Sequence, residues 1–108
     1  HRKEDEWFYV LSGELTFSVD GEVTTSTEGS FVYGPRDVPH MFTVTSEEAR
    51  FLLVTEPAGI EDFIRTLSEP AESLAFPPTS VEPPALETLI AAAAEHGIEI
   101  LGPPGIPA

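Results

Sequence analysis

The sequence contains no cysteine, few basic residues and no long apolar run. Without cysteine it can form neither a disulfide framework nor a thiolate nucleophile, which is typical of a reducing compartment, so we expect a cytoplasmic protein. Only 5 Lys and Arg residues stand against 19 Asp and Glu residues, and the net charge of −14 disfavours nucleic acid and anionic membrane surfaces as partners. The longest apolar run, residues 89–94, is far shorter than the roughly 18 residues of a spanning helix.

The size of the chain limits how many domains it can form. Its 108 residues, 41% of them hydrophobic, are enough for one modest core, and two independent domains are not expected. Because the sequence begins with His1 rather than Met, we expect an upstream segment that is not part of it, together with any targeting signal.

The first half of the chain has the pattern of an antiparallel sandwich or barrel, with short alternating or apolar runs between turn residues. The Asp20-Gly21 pair predicts a tight type I′ hairpin between two of the strands. The pattern predicts six strands, over residues 6–11, 14–19, 22–26, 30–33, 40–45 and 50–55.

After residue 56 the pattern changes to helix. Two apolar stripes with helical spacing predict two short amphipathic helices. The stripes are formed by Ile60, Phe63, Ile64 and Leu67, and by Leu86, Leu89, Ile90 and Ala93. The Pro-rich segment 70–84 predicts a surface linker between them. We therefore divide the chain into a strand region, residues 1–56, and a helical extension, residues 57–108, that packs on the strands or on a partner subunit.

Three side chains are potential metal ligands. Alternate residues of a strand share a face, so Glu6 lies on the same face as the apolar Phe8 and Val10. A carboxylate on an apolar face requires a cation or a hydrogen-bond donor as partner. His40 follows a stiff loop with two prolines, and His1 begins the chain. Two imidazoles and one carboxylate suit iron, manganese, nickel, cobalt or zinc. The residues alone leave open that His1 is a disordered terminal residue and His40 a core-edge histidine with one hydrogen bond.

Two sequence motifs resemble those of the cupin superfamily, in the correct order. The motifs are His1-x4-Glu6-x6-Gly13 and Gly29-x5-Pro35-x-Asp37-x2-His40. Residues 4–15 and 34–40 resemble small single-domain cupins grouped with quercetin dioxygenases, and residues 56–61 and 95–103 are similar to the helical extension of such proteins. The resemblance implies a mainly β fold, the cupin double-stranded β-helix or antiparallel jelly-roll barrel, with a C-terminal α-helical extension.

The resemblance also implies a ligand set. Carried over by position, His1 matches the second histidine of the family's His-x-His pair, Glu6 the carboxylate and His40 the last histidine. The first histidine of the pair would lie two positions before His1, so the resemblance implies an N-terminally truncated cupin whose first strands lie upstream of this sequence. Asp37 stands where the family usually has Gly, but this position supplies no ligand.

The function implied by this resemblance is a metal-dependent, quercetinase-like dioxygenase acting on a small enolic or phenolic compound. One divalent transition metal (Fe, Mn, Ni, Co or Zn) would be the cofactor, and Glu6 would be both metal ligand and general base. The candidate residues of the substrate pocket are Phe8, Val10, Phe17, Phe42 and Leu53, for each of which core packing is an alternative role. A non-catalytic small-molecule-binding cupin, as sensor or storage module, and a cupin isomerase or lyase are the other functions that the sequence leaves open.

Other polar and aromatic residues have simpler interpretations. Trp7 and Tyr9 share the face opposite Glu6, where we expect them to pack under the helices or at the contact of a homodimer. We expect Arg36 to pair with Asp37 or another surface acid, and His96 to cap a helix rather than bind metal. Apart from Glu6, the acidic run 4–6 is expected to be a solvated approach to the first strand.

Overall fold

The computed structural model describes residues 1–106. All six predicted strands and both predicted helices are present, with ends that differ from the predicted ones by a few residues at most. The elements are β1 (Asp5–Ser12), β2 (Leu15–Val19), β3 (Glu22–Ser26), β4 (Phe31–Gly34), β5 (His40–Val44), β6 (Arg50–Glu56), α1 (Ile60–Leu67) and α2 (Leu86–Glu95).

The strands form two three-stranded antiparallel sheets, with the strand orders β4-β1-β6 and β3-β2-β5. Alternate residues of β1 and β2 point inward, and Phe8, Val10, Leu15 and Phe17 form a core in which each is at most 2% exposed. The rings of Phe8 and Phe17 meet edge to face at 5.1 Å between centroids. Burying one such side chain stabilises the fold by about 1.5 to 3 kcal/mol.

The turn between β2 and β3 confirms the predicted hairpin. Asp20 has φ 51° and Gly21 has φ 81°, so both central residues have the positive φ that a type I′ turn requires. The Asp20 N–H also donates to the carbonyl of Pro39, 2.8 Å away, which ties the turn to the loop before β5. This turn thereby helps to fix the position at which β5 begins.

The helical extension contacts the N-terminal segment. Gly97 follows α2 with φ 72° and accepts a hydrogen bond from the Arg2 N–H at 2.7 Å. A Cβ on Gly97 would lie 2.9 Å from the Lys3 side chain, so the absence of a side chain permits this close approach. Ala92 and Ala93 of α2 are buried. The end of α2 thus rests on residues 2 and 3, which immediately precede β1, and packing of the extension on a partner subunit stays a prediction.

The outer face of the β4-β1-β6 sheet is aromatic and exposed. Trp7 stacks on Tyr33 with 5.3 Å between ring centroids. Its neighbours on this face are 42–63% exposed: Tyr9, Phe31, Tyr33, Leu52 and Val54. Whether Trp7 and Tyr9 lie at a dimer contact stays a prediction.

Within residues 1–106, the structure contains no helix that combines the length and the apolar character needed to cross a membrane.

Candidate metal centre

Glu6 is positioned by the pairing of β1. It faces inward with Phe8 and Val10, and it lies opposite Gly34 of β4 and Thr55 of β6. Its residue surface is only 5% exposed, so its carboxylate is largely removed from water. A carboxylate in such a position is stable only when donors or cations compensate for its lost hydration.

His40 supplies one such partner. It is the first residue of β5, and its Nδ1 lies 2.8 Å from the carbonyl oxygen of Val38 while its Nε2 lies 2.6 Å from Glu6 Oε2. The hydrogen bond with Glu6 raises the pKa of the His40 imidazole above its ordinary value, although burial opposes this effect. Because the Val38 carbonyl and the Glu6 carboxylate can both only accept, both ring nitrogens of His40 face acceptors. Nδ1 keeps its hydrogen at Val38, and Nε2 is the nitrogen that would release its hydrogen to bind a metal.

Gly34 makes room for this imidazole. A Cβ at position 34 would lie 2.9 Å from His40 Cδ2, closer than such contacts normally come. The side chain of His40 therefore lies directly over the backbone of β4, beside Glu6 on the neighbouring strand β1. The glycine before Pro35 is thus needed for space at the site.

His1 approaches from the segment before β1. Its carbonyl accepts a hydrogen bond of 2.8 Å from the Asp37 N–H, in the loop that leads to His40. Its ring stacks on that of His40 with 5.6 Å between centroids, and its Nε2 lies 3.6 Å from Glu6 Oε1. His1 and His40 therefore lie against the two different oxygens of one carboxylate.

The structure brings together the three residues that the sequence analysis selected. One ligand atom from each of His1, Glu6 and His40 lies within 4.8 Å of the others. Two imidazoles and a carboxylate, all largely shielded from water, form a donor set that fits a divalent transition metal. The buried His1 Nδ1 lacks a hydrogen-bond partner among the described residues. Their role as metal ligands stays a prediction.

Sequence reasoning missed Glu4. We expected a solvated side chain, but Glu4 is 5% exposed and its Oε2 lies 3.5 Å from His1 Nδ1. A signal was present, since Glu4 is separated from Glu6 by one residue and so has the same parity as the buried face of β1. The burial itself depends on residues far away in the sequence, because Gly59 and Gly97 pack against the N-terminal segment.

A cavity of about 970 Å³ lies next to the centre, and His1 and His40 belong to its lining. Val38 and Met41 also line it, together with residues 98–106 of the C-terminal segment. The five predicted pocket residues are not part of this lining. Phe8, Val10 and Phe17 belong to the core, whereas Phe42 and Leu53 are partly exposed on the edge strands β5 and β6. A role of these five residues in substrate binding stays a prediction.

Two side chains have the structural roles that we expected. Arg36 pairs with Asp5 at 3.1 Å and with Glu56 at 3.5 Å, so its partners are other surface acids rather than Asp37. The hydrogen bonds that Arg36 donates hold the pKa of Asp5 below its ordinary value. His96 is the C-terminal capping residue of α2, and its Nδ1 lies 2.8 Å from the carbonyl oxygen of Ala92.

Comparison with known proteins identifies the fold. The sequence model of the Cupin domain family matches residues 1–55, about half of the chain. The chain therefore belongs to the cupin family, and its two antiparallel sheets form the jelly roll that the sequence motifs predicted.

Two curated relatives and one solved structure are similar to the chain. It is 34% identical over 86 residues to quercetin 2,3-dioxygenase of Bacillus subtilis. These 86 residues are 80% of this chain and 25% of the dioxygenase. It is 41% identical over 54 residues to an uncharacterized protein of Streptomyces coelicolor, and these residues are 50% of this chain and 51% of that protein. The structure of the Clostridium difficile EutQ protein is similar to the chain with 34% identity and a TM-score of 0.46, and the match covers 52% of this chain and 40% of the EutQ chain. The chain thus spans about half or less of the length of its curated relatives.

Proposed function

We propose that this protein is a metal-dependent cupin enzyme of the quercetinase-like dioxygenase type, acting on a small enolic or phenolic compound. The observation that carries the proposal is the cluster of His1, Glu6 and His40, whose ligand atoms lie within 4.8 Å of one another. One divalent transition metal (Fe, Mn, Ni, Co or Zn) is the proposed cofactor. The identity with the Bacillus subtilis quercetin 2,3-dioxygenase supports the reaction class.

The residues of the centre have separate proposed roles. A metal ion bound by His1, Glu6 and His40 would act as a Lewis acid toward a substrate hydroxyl. The carbonyl of Val38 holds the His40 ring with Nε2 turned toward Glu6. Glu6 has two oxygens, each facing a different histidine, so one can stay engaged while the other accepts the proton of the substrate hydroxyl.

The adjacent cavity supports a small, mostly apolar substrate. Its volume of about 970 Å³ lies within the range of about 300 to 1,000 Å³ common for small-molecule sites. Ile98, Ile100 and Leu101 contribute apolar surface to its lining. Arg2, a cationic residue of the lining, is paired with both Asp37 at 3.3 Å and Glu99 at 2.7 Å. Because its charge is already compensated, the cavity favours an uncharged ring system over an anionic substrate.

Metal content tests the proposal most directly. We expect elemental mass spectrometry of the purified protein to find about one transition-metal ion per chain, and we expect His40→Ala and Glu6→Ala to lose it. His96→Ala is the matched control, because His96 lies at the end of α2 and is bonded to Ala92. Oxygen consumption with quercetin and with simpler enols then tests the reaction.

The outcomes separate the two main functions. Oxygen consumption that depends on metal and on Glu6 would support the dioxygenase. Binding of quercetin without turnover would instead identify a non-catalytic binding cupin, which the same cavity would serve. Negligible metal, both after purification and after reconstitution with iron, manganese, nickel, cobalt and zinc, would contradict the enzyme proposal.

A further inference from the structure

Glu4 is a buried carboxylate to which the proposed function assigns no task. It precedes β1, is 5% exposed and lies 3.5 Å from His1 through its Oε2. Glu4 Oε2 and His1 Nδ1 are both buried, and both lack a hydrogen-bond partner among the described residues. Burying a polar atom without a hydrogen bond costs free energy. Because the Glu4 oxygen and the His1 nitrogen face each other, we look for a function that the two side chains share.

We infer that Glu4 is a positioning residue that holds His1 in the tautomer required for metal binding. When the His1 ring binds a metal through Nε2, its one hydrogen is on Nδ1, where the Glu4 carboxylate accepts it. The inference rests on the proposed function, since it assumes that His1 is a ligand. It gives Glu4 a role outside the ligand set itself.

The other histidine of the centre supports this assignment. His40 uses the same arrangement, since its Nδ1 is held by the Val38 carbonyl at 2.8 Å and its Nε2 points to Glu6. For His1 the Glu4 carboxylate occupies the corresponding place, with Oε2 3.5 Å from Nδ1, and Nε2 again faces Glu6, at 3.6 Å. Each imidazole thus has an acceptor on Nδ1 and the shared carboxylate on Nε2.

The geometry argues against Glu4 as an additional ligand. Glu4 approaches the Nδ1 side of the His1 ring, whereas Glu6 approaches the Nε2 side. The Glu4 carboxylate is therefore separated from the cluster of ligand atoms by the imidazole ring itself. A carboxylate that orients a ligating histidine is the common second partner of such rings.

A purely structural role is the main competing explanation. Glu4 Oε1 would lie 3.6 Å from a Cβ built on Gly59, so Glu4 also reaches the residue that precedes α1. Glu61 contacts the same glycine, because its Oε2 accepts the Gly59 N–H at 2.9 Å. We therefore expect Glu61→Gln to weaken this end of α1 and to leave His1 unchanged, which makes it the matched control.

The first measurement is the affinity for Zn²⁺, determined by competition with a chromophoric chelator. We expect Glu4→Ala to weaken binding by about 10- to 100-fold. We expect a smaller loss for Glu4→Gln, because the amide oxygen still accepts from Nδ1, and no loss for Glu61→Gln. Thermal unfolding of the metal-free variants shows whether each one still folds. Equal Zn²⁺ affinity of Glu4→Ala and the parent, or an equal loss in Glu61→Gln, would overturn the inference.

The second measurement reports the tautomer directly. In the metal-free parent both nitrogens of the His1 ring face a carboxylate, Glu4 at 3.5 Å and Glu6 at 3.6 Å, so the measurement is made in the Glu6→Ala background. Long-range ¹H–¹⁵N correlation of the neutral His1 ring in Glu6→Ala should show the hydrogen on Nδ1, and adding Glu4→Ala should shift the ring toward a mixture of tautomers. If the parent binds no metal but Glu6→Ala shows this tautomer, the metal hypothesis fails while the positioning role stands. A His1 ring with the same tautomer in Glu6→Ala and in the double variant would refute the positioning role.

Discussion

The carboxylate of Glu6 is stabilised by the way three chain segments meet around it. His40 comes from the start of β5, His1 from the segment before β1, and Gly34 of β4 leaves the space in which the His40 ring lies. His1 is close to Glu6 in sequence, but His40 and Gly34 are about 30 residues away, so the cluster is complete only when β1 has paired with β4 and β5 lies beside them. The centre is therefore a product of the fold and not of one loop.

At the scale of one residue, Gly34 offers a test of this packing. Gly34→Ala adds a Cβ that would lie 2.9 Å from His40 Cδ2, which forces the imidazole away from Glu6. We expect a loss of about 10- to 100-fold in Zn²⁺ affinity, measured by chelator competition. Gly102→Ala is the control, because a Cβ there meets nothing within 4 Å. Unchanged affinity of Gly34→Ala would show that His40 is not held where the structure has it.

The residues of the centre could be predicted from the sequence to different degrees. Glu6 was found because strand alternation places it on the face of Phe8 and Val10, and His40 because a stiff loop precedes it. Glu4 has the same parity as Glu6 but lies before the strand, where alternation gives no reliable direction. Glu4 also lies against Gly59, which precedes α1 and is far away in the sequence, and no local pattern encodes this contact.

At the scale of elements, local signals located the strands and helices well. Alternation in β1 and the Asp20-Gly21 turn are properties of neighbouring residues, and so are the apolar stripes of α1 and α2. Residues 98–106 carry no such periodicity, and their place beside the cavity follows from long-range contacts. One of these is the ion pair between Arg2 and Glu99.

The start of α1 gives a pH-dependent prediction. The Glu61 carboxylate accepts hydrogen bonds from its own backbone N–H and from that of Gly59, which lower its pKa below the ordinary value. A lowered pKa in the folded state contributes stability above the unfolded pKa of about 4.3, and this contribution disappears as pH falls through the folded value. We expect Glu61→Gln to be less stable than the parent at pH 7, with the difference vanishing in strong acid. Urea unfolding at several pH values measures it, and a difference independent of pH would contradict the assignment.

The C-terminal segment that lines the cavity gives a prediction about substrate binding. Ile100→Glu introduces a charge into an apolar wall beside the centre, and we expect it to raise the KM for quercetin by roughly 10-fold. The metal content and kcat should stay close to those of the parent, because Ile100 belongs to the cavity lining and not to the ligand cluster. Leu74→Glu, in the exposed segment between the helices, is the control. A normal KM in Ile100→Glu would place the substrate elsewhere, for example at the open edge near Phe42 and Leu53.

At the scale of the whole molecule, charge and apolar surface are unevenly distributed. The chain carries a net charge of −14, so two copies repel each other over most of their surfaces. The outer face of β4-β1-β6 is different, because its exposed centre is aromatic and aliphatic and carries no acid. The acids at its margin, Asp5 and Glu56, are paired with Arg36. A second copy of the chain would meet fewer like charges at this face than elsewhere, and we therefore predict a homodimer formed through it.

The dimer is tested by light scattering coupled to gel filtration. We expect a mass about twice the 11.7 kDa of one chain, and a larger dimer fraction at high salt, because salt screens the repulsion between the two acidic copies. Phe31→Glu and Leu52→Glu each place a carboxylate on the apolar face that a second copy would cover, and should yield monomers. Val23→Glu, at a similarly exposed position on β3 of the other sheet, should leave the dimer intact. A parent protein that stays at the monomer mass across salt concentrations would rule out this interface. Equal dissociation by Val23→Glu would move the contact to the other sheet.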